Sequence, residues 1–90
     1  MSYTVSYAEK AIAALRQLDV RLQEEVLDEV EDLALHPQSL NVRAASPHAY
    51  FDFVRDSDKM RHYVFLTIKR DDQAKILEVL AIGYVARPLA

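Results

Sequence analysis

The stretch from Met60 to Ile82 most narrowly limits what this chain can become, because it divides into two alternating runs separated by five polar or charged residues. In the first, Met60, Val64, Leu66 and Ile68 occupy one set of alternating positions, with Arg61, Tyr63, Phe65 and Thr67 on the other. That is the period of a strand with one core face and one aromatic face that begins with a cation. In the second run, Ile76, Leu80 and Ile82 alternate with Lys75, Leu77, Val79 and Ala81. A strand apolar on nearly both sides belongs in the middle of a sheet. Lys69 to Gln73 is too polar to bury and short enough for a hairpin, so the two strands are expected to be antiparallel neighbours.

Upstream, Tyr3, Val5 and Tyr7 alternate with Ser2, Thr4 and Ser6, which predicts a short first strand. Ser6 and Glu9 match a capping box, and Ala8, Ala11, Ile12 and Leu15 follow at helical spacing. Asp19 is the expected N-cap of a second helix. Leu22, Val26, Val30 and Leu33, with Leu27 beside them, form its buried stripe, and Pro37 ends it. Six carboxylates between Glu24 and Asp32 cover the other side. They read as a solvated face, with a docking surface for a basic partner as the alternative.

Residues 38–48 show no periodicity and read as a loop. Tyr50, Asp52 and Val54 then alternate with Phe51, Phe53 and Arg55, and Asp56 to Lys59 supplies a turn. The expected fold is therefore α+β: an N-terminal strand, an antiparallel helix hairpin, then a three-stranded antiparallel sheet, all in one domain spanning residues 1–90. Gly83, the only glycine, reads as a bulge or chain reversal just past the last strand.

Composition removes several functions. No cysteine is present, which excludes disulfides and thiolate chemistry. The absence of a long apolar run and of a signal-peptide layout leads to the expectation of a cytoplasmic protein with no membrane partner. Residues 1–42 hold three Lys/Arg against eight Asp/Glu, while residues 43–90 hold eight against six, so the basic footprint of an autonomous nucleic-acid binder is missing. His36, His48 and His62 have no ligand spacing, no phosphate-binding glycine loop exists, and neither metal nor cofactor is expected.

The layout, with "LALHP" near the end of the second helix and "KMRHYVFLTI" and "ILEVLAIGYVAR" in the strands, resembles the RelE/ParE superfamily of toxins from type II toxin–antitoxin pairs. Arg61 stands where the family has an arginine, and Leu80-Ala81-Ile82-Gly83 matches the approach to its final motif. Tyr84-Val85 replaces the common His-Arg pair, no glycine precedes Arg61, and Asp52, Phe53 and Val54 stand where RNA-cleaving relatives carry lysines. The resemblance implies a sheet face used against ribosome-bound messenger RNA or against DNA gyrase, and covered by a cognate antitoxin when inactive.

RNA cleavage through the 2′-hydroxyl needs a proton acceptor, cations for the phosphorus oxygens and an acid for the leaving oxygen. Arg61 and Arg87 are the candidates for phosphate stabilisation, since a guanidinium keeps its charge and offers paired donors. Tyr84 is the candidate stacking group or acid, with a structural tyrosine as the alternative. Alternation puts His62 opposite Arg61, which reads as a sheltered or edge histidine rather than a base. Tyr63 and Phe65, with Leu77 and Val79 expected beside them, form an apolar face turned away from the helices. A monomer rarely leaves such a face bare, so an antitoxin segment or a second copy of the domain is expected to cover it.

Overall fold

The computed structural model describes residues 3–36 and 48–89. In chain order the elements are β1 (Thr4–Tyr7), α1 (Glu9–Arg16), α2 (Val20–Leu35), β2 (His48–Arg55), β3 (Met60–Asp71) and β4 (Ile76–Pro88). The strands form one sheet in the order β1-β4-β3-β2. β1 runs parallel to β4, and the β4–β3 and β3–β2 pairs are antiparallel. The two alternating runs of the sequence are thus the two central strands. Residues 38–47 of the expected loop lie outside the described residues, and His48, assigned to that loop from the sequence, opens β2.

Both helices lie over one face of the sheet. Ala11 of α1 and Val26, Val30 and Ala34 of α2 pack on Val64, Leu66, Ile68, Leu77 and Val79, all 4% exposed or less. Complete burial of a Val, Leu or Ile side chain stabilises by about 1.5–3 kcal/mol, so this layer is what holds the helices on the sheet. Asp19 caps α2 as the sequence predicts, its Oδ1 accepting from Leu22 N at 2.9 Å. α1 has no such cap: the strand continues through Tyr7, Ala8 becomes the N-cap, and Ser6 sits too early to reach the helix. Instead the Ala8 amide donates to Val79 O at 2.9 Å, tying the start of α1 to β4.

Both arms of the central hairpin run longer than their alternation indicates, and Gly83 lies inside β4, opposite Phe65, with no positive φ. The bulge is elsewhere. Thr67 pairs with Ala81 and Ile68 with Val79, leaving Leu80 without an opposite residue. One extra residue reverses the parity of everything beyond it. Leu77 and Val79 therefore face the core with Ile82 and Tyr84, and both are fully buried. The expectation that Leu77 and Val79 share a face with Tyr63 and Phe65 is corrected by this bulge. At the two hairpin turns Lys59 and Lys75 each take φ 57°, a left-handed conformation for which the sequence offers no glycine.

Candidate functional site

The face of the sheet away from the helices is built from alternate residues of β2, β3 and β4. Register places Tyr50 opposite Phe65, Asp52 opposite Tyr63 and Val54 opposite Arg61. On the other side of β3, Phe65 meets Gly83, Tyr63 meets Val85 and Arg61 meets Arg87. Tyr50 stacks on Tyr63 with ring centroids 6.3 Å apart and leans on Phe65 at 5.4 Å. Tyr50, Phe65, Val54 and Val85 are between 41% and 54% exposed, which makes this a continuous aromatic and aliphatic patch open to solvent. Gly83 contributes no side chain, and the Phe65 side chain lies against it, its Cδ2 3.9 Å from where a Cβ would stand.

At one end of the patch lie the cations. Arg61 donates from Nη1 to Asp52 Oδ2 at 2.5 Å, and that hydrogen bond raises the guanidinium pKa above its ordinary value. Arg87, its cross-strand neighbour, is exposed and has no carboxylate partner among the described residues. Partial desolvation, then the Asp52 charge, raises the Tyr50 phenol, so this ring stays a neutral donor at physiological pH. Two guanidinium groups, a carboxylate and two phenols therefore share one open surface. That set can hold a phosphate and stack on a base.

On the opposite face a second polar cluster is closed. His62, 2% exposed, lies 2.7 Å through Nδ1 from Tyr84 Oη and 2.9 Å through Nε2 from Asp58 Oδ2. Both contacts are satisfied when the Tyr84 hydroxyl donates to Nδ1 and the Nε2 proton goes to Asp58. Phe53 and Tyr84 stack on the imidazole with centroids 5.1 and 5.8 Å away. Arg55 continues the chain, 3.7 Å from Asp58 and 3.1 Å from Asp19 at the start of α2. Burial is the main reason the Tyr84 phenol is raised.

No family model and no curated protein matches the chain. Solved structures do. A free-state mutant of the Escherichia coli toxin RelE superposes with a TM-score of 0.70 at 18% identity, covering 92% of this chain and 83% of that one. The chain has the RelE fold. The RelBE2 toxin–antitoxin complex of Mycobacterium tuberculosis gives a TM-score of 0.65 at 18% identity, over 94% of this chain and 100% of that one. An archaeal RelE–RelB complex from Pyrococcus horikoshii gives 0.59 at 13% identity, over 92% and 94%.

On this RelE fold the residues singled out from the sequence separate into two groups. Arg61, Arg87, Tyr63 and Phe65 share the open face. Tyr84 is on the helix side, hydrogen-bonded to His62, so the structure does not bring it together with Arg61 and Arg87; Leu77 and Val79 are core. Tyr50, Asp52 and Val85 belong to the open face and were missed. The signal for Tyr50 and Asp52 was the alternation of Tyr50, Asp52 and Val54 against Phe51 and Phe53, which the four-residue turn after β2 carries onto the Arg61 side of β3, whereas the face of Val85 depends on the bulge at Leu80.

Proposed function

We propose that this chain is the toxin of a toxin–antitoxin pair, acting in the cytoplasm, with the open sheet face as its working surface and as the surface a cognate antitoxin covers. The observation that carries the reading is the pairing of Arg61 with Arg87 at the edge of an exposed three-ring patch on a RelE fold. Similar folds occur in toxin–antitoxin complexes, which supports an antitoxin as partner here. The activity is cleavage of ribosome-bound messenger RNA. Arg61 and Arg87 hold the phosphate, Asp52 accepts the 2′-hydroxyl proton as that oxygen bonds to phosphorus, the P–O5′ bond breaks with the neutral Tyr50 phenol giving the departing oxygen its proton, and Tyr63 stacks on a base.

A second reading has its own support: Tyr84 is turned inward and Arg61 is already neutralised by Asp52, which favours a non-catalytic grip on a protein such as DNA gyrase. Inducing the chain alone, while following transcript integrity and plasmid supercoiling, separates the two. Cut transcripts support the nuclease, and intact transcripts with altered supercoiling support the gyrase inhibitor. Growth unaffected by expression, with an Arg61→Ala variant indistinguishable from the parent, rejects both in favour of a non-toxic interaction module.

A further inference from the structure

The helical side carries a second exposed surface that the open face does not explain. Val20, Glu24, Leu27, Glu31 and Leu35 recur at intervals of three and four along α2, so they lie on one stripe, separate from the buried Leu22, Val26, Val30 and Ala34. Val20 and Leu35 are 68% and 59% exposed. Beside this stripe a groove of about 450 Å³ runs between α2 and β1, lined by Tyr3, Val5, Tyr7, Leu27, Glu31 and Leu35, with Ala34 at its floor. Burial, and after it the Glu31 charge, raises the Tyr7 phenol, which places that carboxylate's field on the groove wall. Glu24, Asp28 and Glu31 form no ion pair among the described residues.

We propose that this groove is a docking site for a basic amphipathic helix supplied by another polypeptide. Its apolar side packs on Leu27, Leu35 and the two tyrosines, and its lysines or arginines meet Glu24, Asp28 and Glu31. Two observations choose the occupant. The Tyr3 amide donates to Ala34 O at 2.9 Å, so the last turn of α2 takes the first outward amide ahead of β1 and leaves only the four residues Thr4–Tyr7 for an added strand, a short ladder. A second copy of the chain brings the same carboxylates to its own groove, because the charge of residues 1–42 is strongly acidic. α2, sixteen residues long, offers about 24 Å of surface, enough for roughly four helical turns.

This surface is independent of the toxin reading and is tested without any activity. The full chain, isotope-labelled, is titrated with a synthetic peptide carrying leucine at helical spacing and lysine elsewhere, and with the same peptide carrying glutamate for lysine. The expected result is binding of the lysine peptide alone, with amide shifts confined to Tyr3–Tyr7 and to Glu24–Leu35. Glu31→Lys weakens it by about tenfold, as expected for loss of one pair plus a new repulsion. Asp56→Lys, an equal change in net charge in the β2–β3 turn, leaves binding within about twofold. Leu35→Ser, at an exposed position, weakens binding while thermal melts stay superimposable. Equal binding of both peptides, equal losses from the two lysine variants, shifts centred on Tyr50 and Phe65, or a dimer of the chain disrupted by Leu35→Ser would each overturn the proposal.

Discussion

Replacing Tyr84 by Phe removes one oxygen and asks whether that oxygen holds the fold together or takes part in chemistry. In the folded chain it is 2.7 Å from His62 Nδ1, on a histidine only 2% exposed, so without it the ring nitrogen has neither a protein partner nor easy access to water. Leaving a buried polar atom unsatisfied costs about 1–3 kcal/mol. For a domain of this length each kcal/mol moves the midpoint by about 4–8 °C, so Tyr84→Phe is expected to melt roughly 4–24 °C below the parent. Circular dichroism melts and urea titrations on the isolated chain measure this directly. The double variant Tyr84→Phe with His62→Leu is expected to be less destabilised than the two single losses added together, because removing both partners leaves no orphan nitrogen. The proposed toxicity, corrected for the folded fraction, should survive Tyr84→Phe and be lost in Arg61→Ala. A variant melting within about 2 °C of the parent would refute the reasoning about the buried bond. Unchanged stability with abolished toxicity would move Tyr84 back among the reacting groups.

Three further outcomes follow from the same geometry. Leu77→Ala, in the fully buried layer, is expected to cost about 2–5 kcal/mol of stability, whereas Phe65→Ala on the open face should cost far less and instead weaken capture by the proposed antitoxin; melts and pull-down distinguish them. Gly83→Ala should be neutral or stabilising by up to about 1 kcal/mol, since its backbone has no positive φ and an added Cβ would meet Phe65 Cβ at an ordinary 3.7 Å. The Arg55 guanidinium, and after it the Leu22 amide, hold the Asp19 carboxyl below its usual range. With a depressed folded value, the stabilisation is complete above the unfolded carboxylate range near pH ~4 and is lost as the pH falls through the folded value, so Asp19→Asn should flatten the acid limb of a stability-against-pH curve.

Most of the fold could be read in the sequence because its elements carry strong single periods. Alternation identified β2 and β3 and the two faces of β3, the Asp19 cap and the stripe from Leu22 to Val30 located α2, and the placing of His62 away from Arg61 followed from strand geometry alone. What failed was parity across a discontinuity. Leu77, Leu80 and Ile82 are all apolar, so nothing in the residues marks where the alternation slips, and the faces of β4 were assigned as though it never did. The parallel pairing of β1 with β4 was also hidden, because four residues with one apolar side fit either edge of a sheet in either direction. In the candidate site the arginines were legible from charge at strand positions, but Asp52 was not: its partnership with Arg61 exists only once β2 and β3 are in register.

Leu80, the residue with nothing across from it, gives the molecule a single point at which inside and outside are exchangeable. Drawing it into the ladder without the bulge would leave Leu77 and Val79 where they are and rotate the rest of the strand by half a turn. Arg87 and Val85 would then point beneath the helices, and Tyr84 and Ile82 into solvent. Deleting it, by contrast, lets Ala81 follow Val79 directly opposite Thr67, so a one-codon loss there would keep the arginine pair on its face.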